Sequence, residues 1–207
     1  AGSTQLIHVL PPECQTGGLE QLSERLGDAA FRAQLRERMQ TGEDFENISL
    51  LAGWENIRIA ALAGAEDQKY VGQSIAALAE KEGKDPFDAY FDLLVANGGK
   101  ANGIYFTMGE EDMIKIITNP NVCVGTDGTC RTLDEKTHPR TFATFPKAIR
   151  YYHKEKQLFT LPEIIHKITG FVAERAGLSG KGVIKDGYDA DLVLFDYEKL
   201  NDTPTYS

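Results

Sequence analysis

Between Trp54 and Thr126 the chain switches repeatedly between two hydrophobic periodicities, and that alternation narrows its architecture more than any other feature. WENIRIAAL (54–62) runs into an apolar stretch that reads as a strand. From Val71 to Glu82, Ile75, Leu78 and Ala79 recur at helical spacing, with Gly83 as a stop. Asp85-Pro86 supplies a cap and a first-turn proline for a helix whose face is Phe87, Tyr90, Phe91, Leu94 and Val95, ended by Asn97-Gly98-Gly99. GIYFTM (103–108) reads as a strand, EEDMIKIITNP as a helix stopped at Asn119-Pro120, and NVCVGT (121–126) as another strand. The continuous apolar character of that last run predicts burial on both faces, as in a parallel sheet. Strands alternating with short helices are the pattern of an α/β fold.

The flanks are of a different kind. GGLEQLSERLGDAAFRAQLRERMQTGED predicts two short helices: Leu19, Leu22 and Leu26 share a face, and Asp28 caps a second helix carrying Phe31, Leu35 and Met39. The stripe is narrow and the rest charged, which reads as a small surface hairpin rather than a core element. Beyond a long polar loop FPKAIRYYHKEK is helical, and Thr160 caps LPEIIHKITGFVAERAG with Glu163 in the capping-box position. KGVIKDGYDADLVLFD then reads as a hairpin-like β pair turning at Asp186-Gly187.

Composition excludes several partner classes. A net charge of −9 argues against nucleic acid or an anionic membrane, since both require clustered Lys and Arg. With 42% hydrophobic and 26% charged residues the chain has the make-up of a soluble globular protein. No apolar run approaches the roughly 18 residues of a bilayer span, and no signal peptide is evident. Cys14, Cys123 and Cys130, odd in number and widely spaced, fit a reducing compartment and predict a cytoplasmic protein. AGSTQLIHVLP opens without Met or a helix start, which reads as a cloning remnant or as a piece of a longer chain.

GxGxxG, GxxxxGK[ST] and GxSxG are all absent, so nothing supports a phosphate cradle or a serine-hydrolase elbow. Cys123 and Cys130 have no His at metal-ligand spacing, and among His8, His138, His153 and His166 none forms HxH or HExxH. His153 and His166 fall on helical segments and read as solvated or hydrogen-bonded. Asp127, at the end of NVCVGTDGT, has two readings that stay open. It is a turn residue in an Asp-Gly pair, or a carboxylate at the carboxyl end of a barrel strand, where active-site groups gather. In the second role it takes a proton from a metal-bound water and passes it to a leaving nitrogen. His138-Pro139-Arg140 lies in the loop leaving that strand. Its Arg fork suits a substrate carboxylate, while the plain reading is a proline-held loop with a surface salt bridge.

NVCVGTDGT, THPRTFATFPKAIRYY, LPEIIHKITGFVAERAGL and KGVIKDGYDADLVLFD together resemble the C-terminal portion of D-aminoacylases, the N-acyl-D-amino-acid deacylases of the amidohydrolase superfamily. AGSTQL and the GKDPFDAYFDLL helix resemble earlier segments of the same family. The resemblance implies the C-terminal part of a metal-dependent (β/α)₈ barrel with a lid insertion and terminal β-sandwich strands. Residues 1–48 would be a lid-like helical insertion, 49–178 the last barrel strands and helices, and 179–207 the returning sandwich strands. Asp127 becomes the general acid/base, and Arg140, Ser3 and His138 the contacts to an N-acyl amino acid substrate. The family's metal ligands lie upstream, so zinc belongs to the full-length parent and this segment is expected to bind none tightly and to be inactive alone. Exposed barrel edges invite self-association. Two alternatives remain: a non-catalytic binding or assembly module derived from an amidohydrolase, and an amidohydrolase acting on cyclic amides.

Overall fold

The computed structural model describes residues 2–42, 44–128, 130 and 138–203. They divide into two compact units, 2–108 and 109–203. In the first unit, β1 (Gly2–Gln5) leads through two 3₁₀ turns into α1 (Gly18–Leu26), α2 (Ala29–Thr41) and a short α3 (Ile48–Ala52). β2 (Ile57–Leu62), α4 (Ile75–Glu82), α5 (Pro86–Ala96) and β3 (Ala101–Tyr105) follow. Side-chain oxygens of Ser74 and Asp85 accept from the amides of Ala77 and Phe87, satisfying donors that the first helical turn leaves open. The strands pair in the order β1-β3-β2, antiparallel throughout, so the parallel sheet expected from the sequence is not what these strands form.

α5 is the centre of this unit's core. Phe87, Tyr90, Phe91 and Leu94 are buried, as the sequence spacing requires, whereas Val95, read on the same face, is exposed; Trp54 stands edge-on to Phe87 with centroids 5.0 Å apart. The Tyr90 hydroxyl donates to the Leu6 carbonyl at 2.6 Å, which gives the polar end of a buried ring its partner. Asn97, buried where α5 ends, donates to Leu93 O and Asp67 Oδ2 and accepts from Gly64 N, stitching the loop after β2 to the helix.

The α1–α2 pair corrects one expectation. Asp28 caps α2 as read, accepting from Phe31 N at 2.8 Å. Leu22, Leu26, Leu35 and Met39, however, are buried in the main core. The pair closes one side of that core and is not a surface hairpin. Its charge describes only the outer face, where Arg32 and Arg36 reach Asp92 and Asp88 of α5 at 2.7 Å.

Among the described residues the regular structure of the second unit is helical: α6 (Glu110–Thr118), α7 (Arg140–Lys147), a π-helical stretch (Ala148–Glu155), α8 (Leu161–Ile168) and α9 (Gly170–Arg175). Pro146 has no N–H to give, and the helix beyond it widens into i→i+5 bonding, as in Lys156 N to Tyr151 O at 2.8 Å. Thr160 and Glu163 form the expected capping box. The core is small, with Ala148, Ile149 and Ile164 buried and Val124, Phe159 and Tyr197 packed around them.

Two expected strands are not strands. Val122–Asp127 forms no ladder, with Cys123 exposed and Val124 half-buried. In KGVIKDGYDADLVLFD the turn forms, with Gly187 at φ +81° and Tyr188 N donating to Lys185 O at 3.1 Å, but no ladder follows. A strand needs a neighbour for its backbone groups, and among the described residues neither segment has one. The polar loop between Asp127 and His138 lies mostly outside the described residues. Cys14 is buried whereas Cys123 and Cys130 are exposed. Among the described residues no helix is long and apolar enough to cross a membrane.

Candidate functional site

α6 ends at Thr118, and the chain leaves it through a turn in which Val122 N donates to Asn119 O at 3.2 Å. Lys167 of α8 then holds the passage, its ammonium donating to the carbonyls of Asn119 and Val122, both at 2.7 Å. Val124 N donates in turn to Lys167 O at 3.3 Å. Thr126 and Gly128 close the end of the passage through a bond from Gly128 N to Thr126 Oγ1 at 3.1 Å. Between them Asp127 takes φ +46°, a left-handed conformation that Asp tolerates better than most residues. Gly128 has a packing reason to be glycine: a Cβ there would stand 3.0 Å from Thr141 Cα, in the first turn of α7.

That close approach brings Asp127 to Arg140. Arg140 is the first residue of α7, five residues before the helix start read at Phe145, because Pro139 at the cap position has the fixed φ that a helix start uses. The His138 ring accepts from Arg140 N through Nδ1 at 3.0 Å, capping the open amide. Arg140 Nη2 lies 3.0 Å from Asp127 Oδ2, with the Asp127 side chain 88% exposed and that of Arg140 23%. An ion pair with one partner so open to water contributes only about 0.2–1 kcal/mol. Arg140 is therefore largely covered, while the carboxylate that it meets stands open to water.

Three of the four residues singled out in the sequence thus come together: Asp127, His138 and Arg140. Ser3 belongs to the other unit. It pairs with Ile104 across β1 and β3 and lines a cleft of about 480 Å³ together with Thr4, His8, Gln15, Glu46 and Thr107. Sequence reasoning had noted His8 only for lacking a metal pattern. It passed over Lys167 altogether, although a Lys three residues after Ile164 on an apolar stripe is the kind of position where a buried cation can be found. Among the described residues no three His, Cys, Asp or Glu side chains come together as a metal-holding group.

Residues 4–205 match the model of the amidohydrolase family. The chain is 36% identical over 135 residues to a D-aminoacylase of Alcaligenes xylosoxydans xylosoxydans, a stretch covering 65% of this chain and 26% of that protein. It is 40% identical over 116 residues to an N-acyl-D-aspartate deacylase of the same organism, covering 56% and 23%. The chain spans about a quarter of the length of these curated relatives. Among solved structures, an N-acyl-D-glutamate deacylase from Bordetella bronchiseptica, complexed with zinc and a phosphonate inhibitor that mimics the tetrahedral intermediate, aligns with a TM-score of 0.64 at 25% identity. That alignment covers 86% of this chain and 38% of the other.

Proposed function

Because this chain belongs to the amidohydrolase family, we propose that it forms part of a hydrolase that removes the acyl group from N-acyl-D-amino acids, with Asp127 as general acid/base. The observation that carries the reading is the exposed Asp127–Arg140 pair, a carboxylate and a guanidinium held 3.0 Å apart on a left-handed turn against a helix start. A substrate carboxylate displaces Asp127 from Arg140 at little cost, and Arg140 then holds the amino acid by its carboxylate. Freed, Asp127 takes a proton from water as the water oxygen adds to the acyl carbon. It returns that proton to the amide nitrogen as the C–N bond breaks, leaving a carboxylic acid and a free D-amino acid.

His138 supports Arg140 by capping its amide. Ser3 is assigned to substrate contact from the cleft that it lines. Zinc is expected in the full-length protein, as in the zinc-complexed relative, with ligands other than the described residues, which do not gather a ligand set. In the same reading residues 49–178 supply the last parts of a (β/α)₈ barrel and residues 179–207 sandwich strands. The lid role of residues 1–48 is kept as a fixed wall, since α1 and α2 are anchored in the core.

Asp127→Asn, in a chain carried at the length of its relatives, is expected to lower kcat by about 10²–10⁴-fold with KM little changed. Undiminished turnover of an N-acetyl-D-amino acid by that variant would overturn the assignment. The 207-residue chain alone is expected to show no turnover and no tightly held zinc, and metal analysis finding zinc together with turnover would contradict this.

A second reading, assembly through the carboxy-terminal segment, is favoured by the exposure of Ile184, Leu192, Val193 and Leu194. Sedimentation at rising concentration tests it, and a persistent monomer counts against it.

A further inference from the structure

Lys167 lies on the inward stripe of α8, beside Ile164 and Ile168, and is only 8% exposed. A charge taken out of water must be given partners, because an uncompensated ammonium is far costlier to bury than a neutral group. Its partners are two backbone carbonyls and a ring. Nζ donates to Asn119 O and Val122 O and stands 5.6 Å from the centroid of Phe159. Asn119 closes α6, so one of these carbonyls belongs to the negative end of a helix dipole, where a cation is favoured. The other opens the passage that runs to Asp127.

The backbone of the same residue completes the grip by accepting from Val124 N, while the Val124 side chain packs against the cluster around Ile164. One residue of α8 therefore does for this passage what a neighbouring strand's ladder would do elsewhere. Burial holds the Lys167 ammonium below the usual lysine range, the direction expected where little water reaches a charge. Asp127 lies three residues beyond Val124, so any slip of the passage is transmitted to its carboxylate.

We propose that Lys167 is the positioning residue for Asp127: by tying the end of α6 to the passage it fixes where the Asp127 carboxylate meets Arg140 and the reacting water. The inference rests on Asp127 being the proton carrier, and the experiment separates the two claims. Hydrogen exchange of residues 119–128 is followed by mass spectrometry in the 207-residue chain, in Lys167→Met and Lys167→Arg, and in Lys115→Met as an exposed-lysine control on α6. Lys167→Met is expected to speed exchange of the passage by about tenfold or more, with Lys115→Met unchanged and Lys167→Arg retaining most of the protection. In a chain at the length of its relatives, Lys167→Met should lower kcat by about tenfold or more, leave KM within about twofold, and shift the acid limb of the pH–rate profile.

Unchanged exchange in Lys167→Met would overturn the proposal. Faster exchange with kcat and pH profile unmoved would overturn the positioning role where Asp127→Asn has lost turnover, and would overturn the functional reading instead where Asp127→Asn keeps it. If Lys167→Met also loosens α7 to α9, Lys167→Arg decides: restored protection and a restored pH profile support positioning, and failure to restore either overturns it.

Discussion

α5 and the segment DLVLF (191–195) are both rich in large apolar residues, yet they end in opposite surroundings. Phe87, Tyr90, Phe91 and Leu94 of α5 are buried, whereas Leu192, Val193 and Leu194 are 67%, 86% and 100% exposed. A helix satisfies its backbone from within and needs neighbours for one face only. A strand needs a partner along at least one edge as well as cover for a face. Among the described residues α5 finds its neighbours and DLVLF does not. Apolar content alone therefore says little about where the core will be; the number of outside partners that a segment requires says more.

The sharpest way to break this comparison is to empty its two sides in turn. Tyr90→Ala should cost about 3–5 kcal/mol of stability in urea unfolding, because it leaves a cavity in an enclosed site and orphans the Leu6 carbonyl. A cost under about 1 kcal/mol would show that α5 is not the centre of the first unit.

A smaller effect is expected from acid on the charge network that joins α4 to α5. The Lys84 ammonium, 2.9 Å from Glu82, draws that carboxyl below its usual value. Burial works to raise Asp92, but hydrogen bonds from Lys84 and Arg32 leave it lowered on balance. Both groups bind protons less readily folded than unfolded. Their stabilisation is therefore present above about pH 4 and is lost as pH falls through the lowered values. Thermal melts of the wild type between pH 5 and 2 should decline more steeply than those of Lys84→Met; parallel curves would show that the network contributes nothing.

The smallest expected effect lies on the other side of the comparison. Leu194→Ser should change unfolding stability by no more than about 0.5 kcal/mol. The same variant should weaken self-association in sedimentation. A large loss of stability would mean that DLVLF is already packed in solution.

What was legible in the sequence follows the same division. Helix starts at Asp85, Asp28 and Thr160 were readable because each cap bonds within about three residues of itself, whereas the helix read from Val71 begins only after Ser74. The ladders were not, because NVCVGT and DLVLF carry strand composition while pairing depends on residues far away in the chain. The α1–α2 pair was misplaced because its charges outnumber a stripe of four large residues that is nonetheless buried. Asp127 and Arg140 were singled out through their motifs, whose flanks carry the family resemblance, and the structure sets them 3.0 Å apart. Lys167 was missed because lysines are almost always solvated, and only packing shows which one is not.

Burial also sorts the three cysteines into two kinetic classes. Burial pushes the Cys14 thiol up, and its sulfur sits inside the first unit's core. Cys123 and Cys130 stand open in the second unit. Thiolate is the reacting species, so a thiol reagent should mark the two exposed sulfurs quickly and Cys14 only when the first unit opens. The chain thus carries its own clock: the slow third equivalent of label reads out the opening rate of one unit without any added probe, and Tyr90→Ala should make it run faster.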